Sequence, residues 1–309
     1  MGLLEEFKKY KMNVQGIKEC SINAYMDTYK EFFNFMKIDG NNIDSVIAIT
    51  HKDVQNYLTY LAEKVGNTGA TRNRKLSAIK SLFVYLYMDR GIDIDYRILK
   101  IPKAKRVKKE KEILTPEEAQ TLLTLITNAK DKAFFTVLLS TGARVSEALQ
   151  IKVDDIYTPK STGEMNSKDT YYSIILGKGN KERKLYLDNI NYNTLAVCRR
   201  YAETTRKRVV SKYNVKTDNL FIGKFGTTPR EHDLNLTLKK WCKRAEINKN
   251  ITLHSLRHTY ATNLAREGVP INVLRDSLGH SNIETTNTYL HTTEEERMRA
   301  MEGTNKWNY

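Results

Sequence analysis

Four short stretches in the second half of the chain supply cations, imidazoles and one phenol that a folded core does not call for. In TGARVSEALQ, residues 141–150, Gly142 allows a tight turn and Arg144 falls at or near a helix N-terminus. A guanidinium beside free backbone N–H groups is a good anion site. The helix dipole alone disfavours an arginine there, which points to an anionic partner. The plainer reading is a pair with Glu147. In GKGNKERK, residues 177–184, Lys178 sits between two glycines on a turn and reaches outward. The P-loop spacing is absent. Such a lysine can hand a proton to a leaving oxygen, although an exposed turn lysine is the plainer reading. In LHSLRHTYATNL, residues 253–264, His254 and Arg257 lie three apart on a helix whose inward stripe is Leu253, Leu256, Tyr260 and Leu264, and His258 shares that helix. Imidazole beside a fixed cation suits holding and attacking a phosphate. The competing reading is a buried, satisfied histidine beside a surface arginine.

The fourth stretch is LGHSNIETTNTYLH, residues 278–291. Gly279 marks a helix end. Ser281 and Glu284 have the S-x-x-E spacing of a capping box, so a new helix starts at once and His280 occupies the joint. In that helix Ile283, Thr286 or Asn287, and Leu290 form the packing stripe. Tyr289 lies about 100° from Leu290, at the stripe's edge. A purely structural tyrosine would take the stripe itself.

The elements around these stretches read as mainly helical. INAYMDTYKEFFNFMK, HKDVQNYLTYLAEKVG and ATRNRKLSAIKSLFVYLYMDRG each carry apolar residues at helical spacing, and Gly66 closes the second. On the third, Leu76, Ile79, Leu82, Phe83 and Leu86 point inward. Arg72, Arg74, Lys75 and Lys80 are read as its outer face, four cations with no acid among them, leaning toward phosphate contact. RILKIPKAKRVKKEK, residues 97–111, holds eight Lys or Arg and a single acid, Glu110, so it reads as a basic, extended linker in which Lys103, Lys105 and Arg106 can follow a DNA backbone. Thr115 and Pro116, followed by Glu117 and Glu118, start the next helix. YYSIIL and RKLYL, at 171–176 and 183–187, read as a β-hairpin, with a further strand near 149–153 and a long polar loop at 157–170. From Asn191 to about Met301 the pattern is helical again.

The chain has 309 residues, 51 Lys plus Arg against 36 Asp plus Glu, and a formal net charge of +15, an excess that favours a polyanionic partner. Cys20, Cys198 and Cys242 are far apart and make no zinc pattern, so they are expected as reduced thiols of a cytoplasmic protein. No apolar run approaches a signal peptide or a membrane span, and no membrane partner is expected.

Taken together and in this order, the four stretches resemble the tyrosine recombinases, the phage integrase family. The resemblance covers essentially the whole chain; the long polar loop is the departure. It implies a mainly α fold with a small antiparallel β-sheet in the second domain, forming a two-domain C-shaped DNA clamp. Residues 1–96 would be a helical core-DNA-binding domain, 97–112 a basic linker, and 113–309 the catalytic domain with its C-terminal tail. Tyr289 would be the nucleophile, forming a 3′-phosphotyrosyl bond. Arg144 and Arg257 would grip the non-bridging oxygens, Lys178 would be the general acid, His254 the base toward Tyr289, and His280 a donor to the phosphate. No metal or other cofactor is implied, because two arginines supply the charge. The partner would be double-stranded DNA with specific recombination sites, on which four copies assemble, exchange strands in pairs and pass through a Holliday junction. A Xer-like dimer resolvase and a transposon-type recombinase without a separate arm-binding domain remain open. A type IB topoisomerase-like enzyme and a non-catalytic DNA-binding protein are the alternatives. The latter does not account for the six site residues occurring together.

Overall fold

The computed structural model describes residues 2–105, 112–160, 170–177, 182–188 and 192–279, apart from the side chain of Cys20. The chain divides into two compact units, Met1–Lys109 and Glu110–Tyr309.

In the first unit, α1 (Leu3–Asn13), α2 (Glu19–Met36), α3 (Ile43–Ile47), α4 (His51–Glu63), α5 (Gly69–Val84) and α6 (Arg97–Lys100) enclose an aromatic-rich core. Phe7, Tyr29, Phe32, Tyr57 and Phe83 are fully buried in it. Rings of this size each bury 150–250 Å², which lets short helices hold together. Caps set the starts: Thr50 and Asp53 form a capping box on α4, and the Thr68 hydroxyl accepts from the Thr71 N–H on α5. Gly66, at φ +72°, follows the α4 C-cap residue Lys64 by two positions. A π-helical turn, Tyr85–Asp89, continues α5.

Two expectations for this unit change. Lys75 is not on an outer face. It is buried and its ammonium bonds both carboxylate oxygens of Glu31 on α2. The reason is helical phase, since Lys75 precedes Ile79, Leu82 and Leu86 by four, seven and eleven residues and so falls on the apolar stripe. Residues 97–105 are packed rather than strung out. Ile98 and Ile101 are buried in the unit's core. The Asn73 amide exchanges two 2.8 Å hydrogen bonds with the backbone of Ala104, and Lys80 donates to the carbonyls of Leu99 at 2.6 Å and Ile101 at 2.7 Å.

The second unit contains α7 (Pro116–Leu125), α8 (Ala129–Thr141), α9 (Val145–Ala148), β1 (Tyr172–Leu176), β2 (Glu182–Tyr186), α10 (Thr194–Tyr201), α11 (Lys207–Tyr213), α12 (Glu231–Arg244), α13 (Leu253–Arg266) and α14 (Ile271–Leu278). Thr115 and Glu118 make the capping box of α7, with Pro116 at its first position. The centre is α8, whose residues from Ala133 onward are enclosed on every side and are mostly apolar. Ala133 through Thr141 are all buried, and the buried Asp131 accepts from the Trp241 indole at 3.0 Å. Its C-terminal end is therefore fixed by the core. The small cluster of Ala261, Leu274 and Leu278 packs α14 on α13.

Among the described residues the sheet is one antiparallel pair, with Ser173 opposite Leu185 and Ile175 opposite Arg183. Residues 149–153 do not join it as a third strand. Their partners are 218–220: the Val153 N–H reaches the Asp218 carbonyl and the Leu220 N–H reaches Ile151. Backbone pairing across so many residues leaves no local signature in sequence. The polar loop at 157–170 is closed by mutual backbone bonds between Lys160 and Thr170; residues 161–169 lie outside the described residues. Cys198 and Cys242 are buried free thiols whose titration burial pushes up, to about 12 and about 11. Among the described residues no helix is long and apolar enough to cross a membrane.

Candidate active site

The site begins where α8 ends. Gly142 caps that helix in the left-handed conformation, φ +61°, and a Cβ there would lie 2.2 Å from the Tyr260 ring, so both conformation and space require glycine. The turn delivers Arg144 to the N-cap position of α9. Its backbone N–H donates to Glu147 Oε2 at 2.7 Å and its guanidinium to Glu147 Oε1 at 2.7 Å. The local pair with Glu147 therefore exists, and the arginine side chain remains 30% exposed beside it.

On α13, a Thr252–Ser255 capping box fixes the first turn. His254 is exposed and Arg257 is 1% exposed, the reverse of a buried histidine beside a surface arginine. Arg257 donates to the Gly142 carbonyl at 2.7 Å and to the Leu278 carbonyl. Those carbonyls belong to the C-terminal ends of α8 and α14, where helix dipoles concentrate negative charge. This offsets part of the desolvation of a buried guanidinium. His254 stands edge-on to the buried His258, ring centroids 4.4 Å apart.

Arg144, His254 and Arg257 line one concavity, together with Ser146, Leu253 and Glu231. Behind it lies Glu147, 1% exposed and contacted by three guanidiniums: Arg144, Arg183 through Nη2 at 2.8 Å, and Arg257 at 3.7 Å. Burial pushes its carboxyl up, but bonding and charge from Arg183 with hydrogen bonds from Arg144 outweigh that and hold it below its ordinary value. The cluster around Glu147 carries three positive charges against its one negative, and with the Glu231 carboxylate on the concavity's lining the balance still favours an anion. The hairpin is fastened beside it. The Gln150 side chain exchanges two hydrogen bonds with the backbone of Leu176, and Arg183 bonds Glu147 and the Ser277 carbonyl.

Lys178, His280, Tyr289 and Arg106 lie outside the described residues; the chain reaches them from Gly177, Gly279 and Lys105. Of the other DNA-contact candidates, Arg74, Lys103 and Lys105 are exposed, Arg72 and Lys80 are half-buried, and Lys75 is turned inward.

Residues 112–296 match the family model described as the phage integrase family, and residues 4–90 match its N-terminal SAM-like domain. The chain belongs to the phage integrase family. It is a tyrosine recombinase, an enzyme of site-specific DNA recombination that transfers DNA strands. A tyrosine recombinase of Pseudothermotoga lettingae is 28% identical over 97% of this chain and 96% of its own. The tyrosine recombinase XerD of Oceanobacillus iheyensis is 28% identical over 94% and 93%. In fold, the recombinase is similar to the XerH site-specific recombinase solved bound to its difH substrate, with a TM-score of 0.66 at 23% identity over 99% of this chain and 84% of that one.

From sequence alone Arg183 carries no evident role and Glu147 stands only as a local partner of Arg144. Arg183 had one available signal. It shares the inward face of β2 with Leu185, two residues on, where a cation needs a buried partner.

Proposed function

We propose that the recombinase cleaves and rejoins double-stranded DNA at specific sites through a 3′-phosphotyrosyl intermediate on Tyr289. The observation that carries this reading is the convergence of Arg144, from the turn after α8, and of His254 and Arg257, from α13, on one concavity. Two fixed guanidiniums at one anion site are what a pentacoordinate phosphorane requires, because extra negative charge develops on its non-bridging oxygens. In the proposed step the Tyr289 oxygen attacks phosphorus and its proton passes to His254. A phenol with a reference pKa near 10 needs such a base or a cationic field. The bond to the 5′-oxygen breaks, and Lys178 gives that oxygen a proton. His280 donates a hydrogen bond to the phosphate. The phosphotyrosyl bond keeps the energy of the broken phosphodiester, and attack by a 5′-hydroxyl reverses the step.

We further propose that the first unit grips the duplex with Arg72, Arg74, Lys103, Lys105 and Arg106, and that four copies act on two sites through a Holliday junction. Exposure of Arg74, Lys103 and Lys105 supports the first of these. Family membership supports the second. The deciding experiment uses a nicked duplex carrying the recombination site, on which the short downstream fragment bearing the 5′-hydroxyl leaves and the adduct is trapped. The unaltered chain should yield a covalent protein–DNA band, and Tyr289→Phe should bind the duplex and yield none. A band from Tyr289→Phe overturns the assignment.

A further inference from the structure

We propose that Arg183 is a positioning residue of this active site, acting through Glu147 to leave the charge of Arg144 and Arg257 available to the scissile phosphate. The inference rests on the recombinase chemistry set out above.

Three observations carry it. The first is placement. Arg183 lies on the core face of β2, opposite Ile175 and two residues from the buried Leu185, with its side chain 12% exposed. A cation at such a position is held for what it contacts, because its desolvation opposes the fold. The second is its choice of partners. Neither belongs to the hairpin: Glu147 is 36 residues earlier and Ser277 is 94 residues later. Its stem also lies against Gly279, where an added Cβ would come within 2.9 Å of Arg183 Cδ. Arg183 is thereby immobilised between α9 and the end of α14.

The third is charge. Glu147 is fully enclosed and ionised, and Arg144 alone gives it two 2.7 Å hydrogen bonds, one from the backbone and one from the guanidinium. A carboxylate paired only with Arg144 and Arg257 would cancel one of the two charges that face the concavity. With Arg183 included, three cations surround Glu147, so its single negative charge is shared with a guanidinium that does not face the concavity and less of it offsets Arg144 and Arg257. Arg183 is the member whose contacts lead away from the concavity, since it does not line that surface whereas Arg144 and Arg257 do. It therefore serves as the counter-cation of Glu147.

The role is tested by a charge cycle in the full-length chain, read as the single-turnover cleavage rate of the nicked duplex under saturating protein. DNA affinity is measured separately, and folding is checked by circular dichroism. Arg183→Gln should slow cleavage by roughly 10–100-fold, the scale of a misplaced catalytic group, with the duplex Kd changed by less than about twofold. Arg183→Lys, which keeps the charge without the planar fork, should recover part of that loss. In a Glu147→Gln background there is no charge to offset, so adding Arg183→Gln should slow cleavage by less than about threefold. The proposal is overturned if Arg183→Gln cleaves within about twofold of the unaltered chain, or if it loses the same factor in both backgrounds. If Arg183→Gln alone does not fold, the comparison of Glu147→Gln with the double variant decides: a further loss of about tenfold or more overturns the proposal. Failure of the unaltered chain to form any adduct sinks the recombination chemistry instead, which is a separate result.

Discussion

Cations gather in two places, and they are held differently. On α5 and the segment after α6, buried or half-buried lysines are taken up by the fold: Lys75 by Glu31, Lys80 by two backbone carbonyls. Around Glu147, arginines are equally well bonded, yet Arg144 and Arg257 still line an anion-sized concavity. The difference follows from the two side chains. An ammonium is a compact point charge that one good partner largely satisfies. A guanidinium has five donors in a rigid fork, so carbonyls or a carboxylate can fix one edge while another edge is presented elsewhere. Burial thus removes a lysine from ligand binding and preorganises an arginine for it.

The sharpest way to break this contrast is at Arg257. Arg257→Ala should abolish detectable cleavage, a loss of at least about 10²–10³-fold. It should also destabilise the second unit by about 3–5 kcal/mol, because Glu147 and two helix-end carbonyls lose a buried partner. Arg257→Lys should recover stability more than activity, which denaturant midpoints and single-turnover rates would separate. Equal recovery of both would remove the distinction between fork and point charge.

A smaller effect separates exposed from buried cations in the first unit. Arg74→Ala and Lys105→Ala should each lower the salt dependence of duplex binding, with the log–log slope falling by about 1. Lys75→Met should leave that slope unchanged, and its stability effect should stay within about 1 kcal/mol, since the Glu31 carboxylate it releases is 44% exposed. A slope change for Lys75→Met would return it to the DNA-facing set.

The smallest expected effect is a pH dependence. The Glu147 carboxyl is held below its ordinary value in the folded chain. Its contribution to stability is therefore full above the unfolded pKa, about 4.3, and is lost as pH falls through the lower folded value. The stability gap between the unaltered chain and Glu147→Gln should be constant near neutrality and close below about pH 4. Urea midpoints from pH 7 to pH 3 would show it.

Much of this was legible in sequence where the determinants are local. Thr115, Pro116 and Glu118 announce α7, alternation gives both strands, and the glycines at 142 and 279 end their helices as their neighbours suggest. The spacing of His254 and Arg257 also gave a shared helix, but not which of them would be buried. That depends on carbonyls more than one hundred residues earlier and twenty-one later. Lys75 shows the same limit from the other side. Its stripe position was readable, but a lysine is normally assigned outward until a partner such as Glu31, 44 residues away, is known. Arg183 was hidden because its two partners come from different helices, and neither is near it in sequence.

The bonds that Asn73 and Lys80 make to Leu99, Ile101 and Ala104 bear on the thermodynamics of DNA capture. Fixing one residue's backbone costs about 1–2 kcal/mol of conformational entropy. For the stretch from Leu99 to Ala104 that ordering is complete once the first unit has folded. The loss is charged to folding, so in the proposed contact Lys103 would meet a phosphate from a backbone already held in place. An Asn73→Ala chain would keep Leu99 and Ile101 held by Lys80 and the core but would have to order the backbone around Ala104 at the moment of binding, and its affinity for duplex would fall although no contact to DNA had been removed.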